Sequence, residues 1–291
     1  MAQHLQSILY IMRSTRRIVS LIFLFAITVS FVLQNEKISL PKGGIEGRLA
    51  FDTLRKLKNE AFKRGEILKY RMHYGFINAG EAVLQILEEN RQVGGRNTFH
   101  IVGLGNTNSS FDLFFKVRDR YETYLDEDAI LPWLFIRRVN EGWYKIEQNQ
   151  IFNHYRNTMD MDGKKFDIPD NVQDMISSFY FARTIDYTNA KEGDVFEFPC
   201  FVDDQVWPLR IKFMGRETIK SDIGKIRCIK FRPVVQKGRV FKKEEDMNAW
   251  ISDDKNRIPI RAEAKVLVGS IKMDLTEYSG LANPLALEEK K

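Results

Sequence analysis

The sequence predicts a mainly β protein: an antiparallel sheet curved into a barrel or half-barrel, with one or two short helices on its concave face or at its open end and an apolar N-terminal signal or anchor helix ahead of it. Three observations carry that expectation. Apolar and polar residues alternate with a period of two through most of 66–278, the signature of strands with one buried face. The connections are short and rich in turn chemistry, as in Asn140-Glu141-Gly142, Asp162-Gly163 and Asp253-Asp254. Helical spacing interrupts this pattern only briefly, so the helices must find room on a curved sheet.

The chain divides into residues 1–33, a linker at 34–48, one β-rich domain at 49–280 and a polar tail at 281–291. Arg13, Arg16 and Arg17 precede an apolar run from Ile18 to Leu33, and no acidic residue occurs before Glu36. That order of charge and apolarity is the grammar of an export signal or a single membrane anchor. The 16-residue run falls short of the roughly 20 residues that span a bilayer. A signal cleaved after Ser30 is favoured over an uncleaved anchor in the inner membrane, and either way the protein is expected in the periplasm or cell envelope. The linker QNEKISLPKGGIEGR holds Pro41, Gly43, Gly44 and Gly47 and cannot bury a core.

Phe51, Leu54, Leu57 and Ala61 recur every three to four residues and predict a short amphipathic helix. Leu68, Tyr70, Met72 and Tyr74 then alternate with Lys69, Arg71 and His73. After a turn at 75–80, Ala82, Leu84 and Ile86 return on the same pattern. Further strands are predicted at 98–104, 117–125, 133–140, 143–153, 195–202, 209–216, 225–231, 248–252, 258–267 and 270–278. Two helical interruptions remain. One is the short stretch SSFDLFFK at 109–116. The other follows Pro169, where Asp170 and Gln173 form a capping-box pattern ahead of Val172, Met175, Ile176, Phe179 and Arg183 at helical spacing.

Composition excludes some partners. Lys and Arg number 45 against 39 Asp and Glu; setting aside the three leader arginines leaves a surplus of three, an ordinary surface. Lys237, Arg239, Lys242 and Lys243 run into Glu244, Glu245 and Asp246, so no continuous basic stripe offers itself to nucleic acid. Export also removes the chain from cytosolic pools of nucleotide, and no cofactor is called for.

The strings FKRGEILKYRMHYGFINAGEAVLQI, DLFFKVRDRYETYLD, EGWYKIEQNQIFNHYRNTM and AWISDDKNRIPIRAEAKVLVGSIKMDL together resemble the bacterial family known as domain of unknown function 3108. The resemblance covers nearly all of 62–278. It implies an exported, β-rich envelope protein and supplies no catalytic residues.

Chemistry is sparse. TMDMDG fails the helix-loop-helix calcium pattern, because Thr158 and Pro169 stand at its first and twelfth positions; Asp162-Gly163 reads instead as a hairpin turn. His73, His100 and His154 lack zinc spacing, although His73 and His100 could face each other across neighbouring strands. Asp119 and Arg120 point to opposite faces of a strand, so one of them faces inward and needs a partner. An oxidising compartment permits a disulfide between Cys200 and Cys228. A meander over 195–231 would instead put a strand between them and leave two buried thiols.

The aromatics are more suggestive. Phe111, Phe114, Phe115, Trp133, Phe135, Trp143, Phe179 and Phe181 could line a cavity for a lipid or acyl chain, or could simply fill the core. Three functions stay open: non-enzymatic binding of an amphiphile or apolar partner, an assembly factor contacting envelope proteins through a solid domain, and a carboxylate-dependent hydrolase. Membrane contact through 1–33 is added if the leader stays. A fusion of residues 1–40 to a reporter active only outside the cytosol is expected to be active; a silent, cytosolic fusion would overturn the export reading.

Overall fold

The computed structural model describes residues 54–234, 247–265 and 269–288, so the leader, the linker and Phe51 lie outside the described residues. Among the described residues one antiparallel sheet of fifteen strands contains nearly the whole fold. The strands are β1 (Ile67–Tyr74), β2 (Ile77–Ile86), β3 (Arg91–Val93), β4 (Arg96–Thr107), β5 (Arg118–Asp126), β6 (Pro132–Glu141), β7 (Tyr144–Asn153), β8 (Thr158–Met161) and β9 (Lys164–Asp167), then β10 (Val195–Val202), β11 (Gln205–Ser221), β12 (Gly224–Pro233), β13 (Met247–Ser252), β14 (Pro259–Lys265) and β15 (Ser270–Ser279). Helix α1 (Ser109–Asp112) follows β4, and α2 (Met175–Thr184) follows β9.

The spatial order runs from β10 through β15 to β1, β2, β4 and on to β9, with β3 appended to β4. The sheet curls without closing. Its edges β9 and β10 approach each other through Phe166 on Phe201 (ring centroids 5.1 Å apart) and Lys164 on Asp204 (3.1 Å). The gap is filled by the chain after β9: Gln173 donates its N–H to Pro199 O and accepts from Phe201 N–H, bridging to β10. Register shifts at Thr276 on β15, Ala79 on β2, Trp133 on β6, Gly215 on β11 and Ile260 on β14 mark bulges that bend the sheet.

Alternation decides the faces as the sequence led one to expect. Leu68 and Tyr70 on β1, Leu84 on β2, Ile101 on β4, Phe135 on β6 and Met273 on β15 turn inward onto α2. Helix α2 lies on the concave face, and Gly103 has no side chain where a Cβ would sit 3.4 Å from Ile176 Cδ1, which brings helix and wall together. A second cluster of Tyr187, Phe213, Ile229 and Phe231 packs on the other face of β11 and β12. Asp162 and Gly163 both take positive φ and close the β8–β9 hairpin as expected.

Several expectations need correction. The helix begins four residues late, because Asp174 rather than Asp170 caps it: Asp174 accepts from Ile176 and Ser177 N–H, Ser177 Oγ accepts from Asp174 N–H, and Thr123 Oγ1 donates to Asp174. Asp170 accepts from Asn157 instead. No helix forms over 54–61. Leu57 N–H goes to Asp128 O, the Arg55 guanidinium to Ala129 and Ile130 O, and the Asn59 side chain takes Ala61 and Phe62 N–H, so this segment is an extended strap with its polar groups already satisfied. His73 and His100 do not face each other, since β2 separates their strands. In 281–288, within the stretch read as a polar tail, Leu281 and Leu285 pack on the core, and Glu288 and Arg227 N–H bond Lys225 and Ala286 O along β12.

At the end of α2, Arg183 and Glu66 form a pair buried to within 1 % of full enclosure. The guanidinium donates to both Glu66 oxygens at 2.6 and 2.7 Å, to Ala61 O at 3.0 Å and to Asn256 O at 2.8 Å. Arg183→Met strands the Glu66 carboxylate and should destabilise the fold by about 3–5 kcal/mol in urea titrations, with Arg183→Met/Glu66→Met recovering a substantial part. A double variant no more stable than Arg183→Met would show that the orphaned carbonyls, not the charge, dominate.

Candidate functional site

The concave face above α2 changes polarity along its length. Nearest the helix is an apolar cleft of about 40 Å³, lined by Tyr70, Leu84, Gly103, Tyr121, Phe179 and Met273 among others. Tyr121 and Arg137 are direct cross-strand partners on β5 and β6, and both are buried. Beyond them, on the same inward face, lie Asp119 and Glu141, also buried. Gln150 on β7, also buried, pairs with Phe135 lower on the same face.

This cluster is incompletely satisfied. Asp119 Oδ1 accepts from Asn140 N–H at 2.9 Å, and Arg137 reaches Asp203 at 2.9 Å across the gap to the β10–β11 turn. Asp119 Oδ2, Tyr121 Oη, Arg137 Nε and Gln150 Oε1 have no hydrogen-bond partner. Buried polar atoms of this kind cost about 1–3 kcal/mol each unless water or a ligand meets them. Burial raises the Asp119 carboxyl above the ordinary aspartate range, against the Asn140 hydrogen bond, Glu141 and the Arg137 charge. The arrangement offers donors and acceptors at the head of an apolar cleft.

The aromatics singled out in the sequence do not form one group. Phe179 lines the cleft. Phe135 is core, stacked on Tyr121 at 6.4 Å, and Trp133 packs against His154 while donating to Asp126. Phe181 lies against Phe198 with Arg55 over its ring. Phe111, Phe114, Phe115 and Trp143 gather instead at the rim around α1 and the β6–β7 turn, with Phe115 against Gly142. Cys200 on β10 and Cys228 on β12 are free and buried, separated by β11; burial pushes the Cys228 thiol up to about 12. Among the described residues no group of three or more His, Cys, Asp or Glu could hold a metal. Sequence reading passes over Tyr121 and Arg137 and takes Glu141 only as part of a turn. The alternation of Trp133, Phe135 and Val139 already marks odd positions of β6 as inward, which assigns Arg137 and Glu141 to the interior.

Residues 69–276 match the family model described as protein of unknown function, DUF3108. The chain belongs to the DUF3108 family. The DUF3108 match runs from β1 to β15 and so includes both the cleft and the polar cluster above it. Solved structures similar to the chain include a beta-barrel-like protein of the DUF1849 family from Brucella abortus, at 8 % identity and a TM-score of 0.48 over 78 % of this chain and 99 % of that one. A candidate lipoprotein from Parabacteroides distasonis aligns at 11 % identity and a TM-score of 0.32, covering 78 % and 100 %. A candidate exported protein with a YmcC-like fold from Bacteroides fragilis aligns at 11 % and 0.27, covering 77 % and 99 %. No curated protein matches the chain in sequence.

Asp174 ties α2 to β5 beneath this site, and burial pushes its carboxyl up to about 6 despite the hydrogen bonds from Thr123, Ser177 and Ile176. A folded-state value above the unfolded one means the folded protein holds the proton more tightly, so stability falls as pH rises through that window. In Asp174→Asn, which keeps a capping side chain, stability relative to wild type should rise by about 2 kcal/mol between pH 4 and pH 7. A difference that does not change with pH would contradict a protonated Asp174.

Proposed function

We propose that this DUF3108 protein is exported to the cell envelope and binds an amphiphile, a lipid or acyl chain, on the concave face of its sheet without catalysing a reaction on it. The observation that carries the reading is the polarity gradient there: an apolar cleft at Phe179, Leu84 and Met273, headed by the buried polar side chains of Tyr121, Arg137 and Asp119, which keep unsatisfied donors and acceptors. An acyl chain suits the first part and a polar head the second. The basic and apolar order of residues 13–33 supports export.

The cleft volume favours a second reading. At about 40 Å³ it has room for only a few waters, so the walls must part before a chain enters, and an assembly factor with a filled interior needs no such step. The hydrolase reading gains a carboxyl pair, Asp119 and Glu141, yet both are enclosed, and a general acid and base must reach substrate.

The protein as exported from cells should bind a fluorescent fatty acid saturably, and Phe179→Asp should weaken binding at least tenfold, about 1.4 kcal/mol, by placing a charge in the cleft. The variant's circular dichroism spectrum should match that of the wild type, as a check that it folds. A folded wild type that takes up no acyl probe would transfer the assignment to the assembly factor.

A further inference from the structure

Three projecting tips meet at the rim that carries α1. The β1–β2 turn leads from Gly75 into β2, where Asn108, just before α1, donates its side-chain amide to Asn78 O at 2.6 Å and its N–H to Ala79 O. The chain after α1 is tied in turn to the β6–β7 turn, with Gly142 N–H on Lys116 O at 2.8 Å and Val117 bridged to Glu141. The three tips are therefore neighbours at one end of the sheet. They carry large apolar side chains outward: Phe76 is fully exposed, and Leu113, Phe114 and Trp143 are 86, 83 and 80 % exposed, with Ile77 and Tyr144 beside them. Phe115 turns back onto Gly142 and buttresses the tip, so the outward ring at 114 is held in place.

We propose that this rim inserts shallowly into the surface of a lipid bilayer containing anionic lipid. Exposed aromatics and a leucine gathered on the tips of adjacent turns at one end of the sheet suit the boundary between headgroups and acyl chains. The charges within the tips have one sign. Residues 75–77, 113–116 and 142–145 include Lys116 and Lys145, both exposed, and no acidic residue; of the carboxylates that adjoin these stretches, Glu141 is buried and Asp112 is held by Arg118 at 2.6 Å. Lysine beside exposed aromatics is complementary to an anionic lipid surface, whereas lysine is depleted from protein–protein contacts. The rim is independent of the amphiphile reading, because none of its side chains lines the cleft.

The exported full chain is mixed with vesicles of phosphatidylcholine and phosphatidylglycerol whose acyl chains are plain or brominated, and tryptophan emission is read. Brominated vesicles should quench the wild type, and Trp143→Phe should remove that quenching, since Trp133 and Trp250 are buried and the half-buried Trp207 packs against the core from β11. Leu113→Asp/Phe114→Asp should leave the melting temperature and fatty-acid binding unchanged, because both residues are exposed, and should cut the quenching at least tenfold. Vesicles lacking phosphatidylglycerol should bind more weakly. Equal Trp143 emission on plain and brominated vesicles that carry the protein would overturn the proposal, even if residues 1–33 supply the attachment. So would self-association abolished by the aspartate pair without lipid quenching, which would make the rim a contact between copies.

Discussion

The ion pair between Arg183 and Glu66 constrains more of this fold than any other contact. Four separate pieces of chain meet at one guanidinium: the strap through Ala61 O, the entry to β1 through Glu66, the last turn of α2, and the β13–β14 connection through Asn256 O. Rings of Phe62, Phe179 and Tyr180 enclose it at 5.1–5.7 Å. A buried charge is tolerable only when its partner and every donor are satisfied, so α2 cannot slide or leave the concave face without stranding it. That fixes Phe179, one turn before Arg183, as the floor of the cleft. The position of the cleft is thus a consequence of where a charge can be buried.

An open sheet of this size must also manage its edges. β9 has only four residues, and β10 is partly covered by Gln173, whose backbone makes two bonds to it. Asp203 and Asp204 reach across the gap to Arg137 and Lys164. The Arg137–Asp203 pair belongs to the edge closure and to the polar cluster at once. Opening the gap would therefore loosen the head of the cleft, a direct route by which a closed interior of small volume could admit a chain.

The sheet was legible because strand alternation is a local property: Leu68, Tyr70 and Met72 state their face whatever lies beyond them. The parts that escaped depend on distant partners. Residues 54–61 have helical spacing, but Asp128 O and the Asn59 side chain take their N–H groups first. Asp170 and Asp174 are both plausible caps by type, and the Thr123 hydroxyl on β5 selects the second. β11 extends beyond the expected 209–216 in both directions, because Pro208 faces Pro199 on β10 without needing to donate, and Gly215, at positive φ, sits at a bulge after which pairing resumes. Among the site residues, Trp133 and Trp143 are the same residue type ten positions apart, one enclosed at the start of β6 and one exposed in the turn at its far end; the run of β6 between them separates the roles. Composition could gather the aromatics but not sort them.

The rim and the start of the described chain lie at opposite ends of the sheet. Leu57 is bonded at the β5–β6 turn, whereas the exposed aromatics sit on the β1–β2 and β6–β7 turns. The longest strand on the path between them, β4, has twelve residues, about 40 Å of rise. Residues 34–53 could extend to ~70 Å, so a leader retained in a membrane would still let the rim reach that same membrane as well as a facing one. Were residues 1–33 an anchor, their retention or removal would change how the protein is confined and leave the rim's chemistry untouched: the tips present apolar rings and lysines in either case.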